Sequence, residues 1–151
     1  MEDVEASSSA RDRLQNIFVR YAVNQVQRQG TQHTVPAIEN TSFSKLCRLC
    51  PGLLTARLGR NEVDLVFARH KRPGERRLTY GQFLSALYEL ALLRYAEDDP
   101  ITAFAKLLAF HVFQIDETPA AHVGTRSAPM KEVLDEEVAR IVEELMAEDE
   151  L

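Results

Sequence analysis

The stretch from Ser42 to Tyr95 reads as helix, turn, helix, short extended segment, helix, and this rhythm limits the chain to folds built from packed helix-loop-helix units. Its first helix, Phe43 to Cys50, presents Phe43, Leu46, Cys47 and Cys50 on one face. It stops at Pro51-Gly52, since proline cannot continue a helix and glycine readily ends one. The next is expected to start at Asn61 as N-cap, with Asp64 reaching back to the exposed amides, and to carry Val63, Val66, Phe67 and His70 along one face. Pro73-Gly74 then signals a turn, and Thr79 caps a long helix reaching about Ala96. Its apolar face is expected to hold Phe83, Ala86, Leu87, Leu90, Ala91 and Leu93.

The flanking segments complete an all-α expectation. Residues 1–10 are acidic and then Ser-rich, without apolar periodicity, and read as a mobile N-terminal segment. From Arg11 to about Gln27, Leu14, Ile17, Phe18, Tyr21 and Ala22 recur at the spacing of one buried helical face. Gly30 to Ser42 breaks that pattern, with only Ile38 placed for burial. Asp98 or Asp99, followed by Pro100, begins a further helix that packs through Ile101, Phe104, Leu107, Leu108 and His111. Residues 114–129 contain Pro119, Gly124 and Pro129 and read as a linker, and residues 130–151 as an acidic C-terminal helix. The core domain is therefore expected at 11–113.

Charge is unevenly distributed. Residues 131–151 carry nine acidic side chains against Lys131 and Arg140, a net of −7, which leaves residues 1–130 at +2 within a chain of −5. Arg69, Lys71, Arg72, Arg76 and Arg77 crowd one predicted surface loop, opposed there by Glu75 alone. No run of about 18 apolar residues is present to span a bilayer, so no membrane partner is expected. The opening Met1-Glu2-Asp3-Val4-Glu5 lacks the basic start and apolar stretch of a secretory signal, and a cytoplasmic address is expected. Two cysteines are too few for a disulfide scaffold.

The two loops that precede helices, around Ile38 and Leu78, have the frame of paired calcium hands. Such a loop needs oxygen ligands at positions 1, 3, 5 and 12, with a bidentate Glu at 12 and glycine at 6. With Ile38 at the apolar position 8, Thr31, His33, Val35 and Ser42 fall on the ligand positions and Pro36 replaces the glycine. With Leu78 there, the ligand positions hold Lys71, Pro73, Glu75 and Gln82. One carboxylate among five cations cannot hold calcium. The apolar positions survive nonetheless, and in paired hands they meet in an antiparallel two-strand contact. The expectation is a degenerate, calcium-free, EF-hand-like pair with an extra helix and the acidic C-terminal helix; the bland alternative is two unrelated helix-loop-helix turns.

Three ordered motifs carry a family resemblance. Leu46-Cys47-Arg48-Leu49-Cys50, Val63-Asp64-Leu65-Val66-Phe67 and Phe83-Leu84-Ser85-Ala86-Leu87-Tyr88-Glu89-Leu90-Ala91 resemble, in order and spacing, the core of the tubulin polymerization-promoting proteins, over roughly residues 14–112. The resemblance implies a helical domain of calcium-hand descent and a protein associated with tubulin, microtubules or ciliary axonemes and their proteins. The Thr-Gly-x-His-Lys-x-Arg-Phe stretch of the family's longer members is not in this sequence. Microtubule surfaces are acidic, so Arg69, Lys71, Arg72, Arg76 and Arg77 are the candidate tubulin contacts, steered by salt-sensitive attraction; a solvated loop is the plainer reading of the same residues.

Other chemistries find no constellation. Cys47 and Cys50 lack two further zinc ligands, and His33, His70, His111 and His122 show no paired spacing. The cysteines close a helix rather than follow a strand, so core-facing thiols are expected rather than a redox pair. No phosphate loop, catalytic set or cofactor motif is present, and the cations are not interleaved with aromatics for nucleic acid. The expectation is a non-enzymatic tubulin-binding cytoskeletal protein. The competing reading is an adaptor whose terminal helix captures a protein partner through Leu134, Val138, Ile141 and Leu145, a stripe that can equally pack on its own domain.

Overall fold

Helix α1 (Ala10–Tyr21) starts where the Ser9 hydroxyl accepts the Asp12 amide at 3.0 Å, and it buries Ala10, Leu14, Ile17 and Phe18. In this computed structural model residues 9–26, 34–117 and 130–149 are described. Most of the expected N-terminal lead-in and the stretch 118–129 of the expected linker fall outside them, as do Thr31 and His33. Ser9 caps the first helix and Ala10 opens it.

Contrary to the helical expectation up to Gln27, α1 ends at Tyr21, and strand β1 (Val23–Val26) turns back to pair with β2 (Thr34–Glu39). The valines at both ends of β1 favour a pleated strand once a partner is available. Helix α2 (Asn40–Leu49) follows directly, burying Phe43, Leu46 and Cys47, and Cys50 beyond it is buried too. The turn at Pro51-Gly52 has Gly52 in the left-handed region at φ 71°.

Helix α3 (Arg60–His70) has Gly59 as its N-cap, two residues before the expected Asn61. Glu62 rather than Asp64 reaches back, its carboxylate accepting the Gly59 amide at 2.9 Å, and Asn61 lies inside the first turn. Strand β3 (Arg77–Thr79) leads into α4 (Tyr80–Arg94). As the spacing predicts, Thr79 caps α4, with Gln82 bonded reciprocally. Leu93, expected on the buried face, is exposed. Asp99 caps α5 (Pro100–Phe110), accepting the Thr102 amide at 3.1 Å with Pro100 in the first turn. A 3₁₀ segment, Val112–Glu117, carries the core on to Ile115, and α6 (Met130–Asp149) lies along α5.

The fold is thus mostly helical, with one small antiparallel sheet ordered β1-β2-β3. Ile38 stands directly opposite Leu78 in that sheet, both fully buried. This is the contact expected of two paired loops. Beneath it an aromatic cluster joins α1, α2, α3 and α4: Phe18 lies 4.9 Å from Phe83, and Phe43 lies 6.1 Å from Phe83 and 5.7 Å from Phe67. Each fully buried ring contributes on the order of 2–3 kcal/mol of transfer free energy, so the two helix-loop-helix halves share one core.

Candidate functional site

The basic loop is built from a tight turn between α3 and β3. Lys71 closes α3, and the Glu75 amide donates to the Arg72 carbonyl at 2.9 Å across Pro73-Gly74. Proline suits the second position of such a turn, and Gly74, at φ 85°, supplies the left-handed third. The turn leaves Lys71, Arg72 and Arg76 between Arg69, in the last turn of α3, and Arg77, on β3.

Their electrostatic states differ. Arg77 faces Glu39 across the sheet and donates to its carboxylate from Nε at 3.2 Å and Nη2 at 2.9 Å. Arg69 and His70 share Glu89 of α4, His70 Nε2 lying 2.8 Å from Oε1 and Arg69 pairing with both oxygens. The Arg69 guanidinium, then His70, holds the Glu89 carboxyl below its usual value against the opposing effect of partial burial. Among the described residues Lys71, Arg72 and Arg76 make no ion pair. The outer pairs fix the backbone on both sides of the loop, and its middle keeps uncommitted positive charge.

The loop positions that would ligate calcium offer little else. Val35 lies in β2, Ser42 in the first turn of α2 and Gln82 in the cap of α4. Among the described residues no group of three or more His, Cys, Asp or Glu side chains is placed to hold a metal ion. Both thiols face the core. Burial pushes the Cys47 thiol well above its ordinary value, with Cys50 and Asp64 adding to the effect, and pushes Cys50 up to about 12. Neither is poised as a nucleophile or ligand, because thiolate is the reactive form.

The stripe on α6 is occupied by the domain itself. Ile141 is 3% exposed, and Val138 and Leu145 pack against the core; Leu134 is half-buried. Two acidic residues seven positions apart, Glu137 and Glu144, fasten the helix. The Glu144 carboxylate accepts the Ala10 amide at 2.9 Å and the Arg11 amide at 3.3 Å, while Glu137 pairs with Arg13. A carboxylate on the first amides of α1 satisfies donors that a helix cannot bond internally and favours the positive end of its dipole. Sequence periodicity could find the stripe but not this clamp, since nothing links Glu144 to Ala10 along the chain.

His111 is the one buried polar side chain among the described residues. Its Nδ1–H donates to the Pro51 carbonyl at 2.6 Å, and Nε2 accepts the Tyr95 hydroxyl at 2.7 Å. Burial first, and then Arg94, holds its pKa below the ordinary 6.5, although the Pro51 bond acts in the other direction. It ties the turn after α2 to the end of α5 and is enclosed rather than presented.

A family model described as p25-alpha matches residues 15–136, past residue 112 and into the first turns of α6. The Bos taurus "Tubulin polymerization-promoting protein family member 2" is 31% identical over 91 residues, covering 60% of this chain and 50% of that protein. The "Tubulin polymerization-promoting protein" of Rattus norvegicus and that of Mus musculus are each 32% identical over 84 residues, covering 56% of this chain and 37% of theirs. The chain spans half or less of the length of these curated relatives.

Proposed function

This chain belongs to the p25-alpha family, and we propose from this that it is a non-enzymatic tubulin-binding protein that contacts tubulin through Lys71, Arg72 and Arg76. The names of its relatives supply the partner, and the uncommitted cations, held on a loop pinned at Arg69 and Arg77, carry the assignment to this surface. An acidic filament attracts such a loop over about 8 Å at physiological salt, and binding is accordingly expected to weaken as salt is raised. The reading includes a cytoskeletal location and, at its finest, a role in organising or stabilising microtubules, including those of the ciliary axoneme. The buried protonated thiols and the enclosed His111 support a binding rather than a catalytic role.

Co-sedimentation with polymerised tubulin tests the contact. The K71E/R72E/R76E variant is expected to lose at least about tenfold in affinity, since three surface charges are reversed and each favourable pair is worth up to ~1 kcal/mol. Unchanged pelleting rules the loop out. Arg69 and Arg77 are left intact because their ion pairs also brace the fold. Locating a tagged copy in ciliated cells separates a general cytoskeletal role from an axonemal one. The adaptor reading requires Ile141 to leave the core, and partner capture by intact protein with α6 docked would have to use its outer acidic face instead.

A further inference from the structure

A second cationic feature lies at the C-terminal end of α4. The connection after α2 and the turn from α4 into α5 enclose a cleft of about 550 Å³, half open to solvent, whose charged lining is Arg57, Arg94, Glu97, Asp98 and Lys106, with Tyr95 beside them. We propose that this cleft receives a carboxylate from an acidic polypeptide segment.

The balance of charge carries the argument. Lys106 Nζ lies 3.0 Å from Asp98 Oδ2, so these two offset each other. Arg57 is exposed and makes no ion pair among the described residues. Arg94 donates one N–H to the Gly52 carbonyl at 3.2 Å and lies 4.9 Å above the Tyr95 ring, yet its Nε–H is buried without an acceptor. The Arg57 guanidinium and the part of Arg94 not engaged by Gly52 and Tyr95 therefore stand against the single free carboxylate of Glu97. Guanidinium forks match the geometry of a carboxylate, and the Tyr95 ring and exposed Leu93 give the stem of a Glu or Asp side chain an apolar surface.

The openness of the cleft selects the kind of ligand. Sites for small molecules commonly enclose 70–90% of the ligand surface, which a half-open cleft does not do, whereas an extended acidic segment need insert only a side-chain tip. The cleft lies at the C-terminal end of α4, beyond Glu89, on which Arg69 and His70 of the basic loop's first end are paired. An acidic partner can therefore be held at two points along α4. The inference deepens the tubulin reading and rests on it in taking the partner to be acidic.

The test is a titration of the isotopically labelled full chain with an oligoglutamate peptide, and separately with inorganic phosphate, followed by amide resonances at low ionic strength. Saturable shifts are expected at Ala56, Arg57 and Ala96. Arg57→Glu should weaken this response about fivefold and Glu97→Gln should tighten it about twofold, magnitudes typical of exposed charges. No saturable shift at these positions, or a response indifferent to both substitutions, overturns the proposal. Phosphate saturating the same amides more tightly than oligoglutamate also overturns it, in favour of a phosphate site. A cleft response that survives K71E/R72E/R76E while tubulin pelleting is unaffected by those changes removes the loop reading alone; loss of the cleft response with loop-dependent pelleting intact removes this inference alone.

Discussion

The two helix-loop-helix halves are alike at their centre and different at their edges. Ile38 and Leu78 hold equivalent places, opposite one another, and each is followed by the N-cap of an exit helix, Glu39 in one half and Thr79 in the other. Thr79 caps α4 with its own hydroxyl, whereas Glu39 makes no side-chain cap and spends its carboxylate on Arg77. The second half closes its loop in one tight turn, whereas in the first two strands, β1 and β2, pair antiparallel between α1 and α2. What holds the halves together is the shared apolar core, and the loop edges carry charge.

The largest effect should come from breaking that core. Phe43→Ala in the first half and Phe83→Ala in the second are each expected to cost about 3–5 kcal/mol, the range for deleting a buried aromatic side chain, read from chemical denaturation. Both variants should shift a single transition. Two separable transitions, with each variant moving only one, would mean that the halves fold independently and the shared cluster is incidental.

Next in size are the two left-handed glycines. Gly74→Ala and Gly52→Ala should each cost about 1–2 kcal/mol, since an L side chain is strained at positive φ. A Cβ on Gly74 would meet nothing within 4 Å, and one on Gly52 would meet the His111 ring at an ordinary 3.5 Å. Similar losses in thermal unfolding would show that conformation alone decides. A much larger loss at Gly52 would point instead to the His111 bond with Pro51 as the brace between the turn after α2 and the end of α5.

The caps should separate the halves more finely. Thr79→Ala is expected to destabilise by about 1 kcal/mol, as loss of a side-chain N-cap commonly does. Glu39→Ala should cost less, on the order of 0.5 kcal/mol, because it removes a partly exposed ion pair and no cap. Equal losses would contradict the asymmetry.

Much of this was legible in the sequence where a local rule applies. Thr79 and Asp99 are good caps beside strong helical patterns, Pro100 suits a first turn, and the apolar spacing of α4 names its buried residues, whereas that of α5 names Leu107 and Leu108 but not Ala103, Ala105 and Ala109, and Ile101 and Phe104 are only half-buried. The Ile38–Leu78 contact was legible too, because it follows from loop spacing. What escaped depends on contacts between distant segments. Residues 22–26 continue the pattern of α1 well enough to look helical, and only the presence of β2 makes them a strand. Asn61 is a better intrinsic cap than Gly59, yet Glu62 satisfies the exposed amide from inside the helix. At the candidate site the five cations were visible as a cluster, but which of them are spent was not. Glu89 and Glu39, which neutralise Arg69 and Arg77, lie 20 and 38 positions away, and no periodicity announces such pairs.

The smallest expected effect separates the spent cations from the free ones by pH. Because Arg69 and His70 hold the Glu89 carboxyl below its usual 4.5, the folded protein binds that proton less readily than the unfolded chain does. The pair's contribution is therefore fully present above pH 4.5 and is lost as pH falls from there through the lowered folded value. Both partners are partly exposed, Arg69 at 53% and Glu89 at 26%, so solvent screening keeps the change in melting temperature small. Glu89→Gln should flatten this acid-side loss without touching the salt dependence of binding, whereas K71E/R72E/R76E should do the reverse. If Glu89→Gln leaves the acid limb unchanged and instead alters tubulin pelleting, then Arg69 belongs with the free cations, and the division of the loop into bracing and binding charges is wrong.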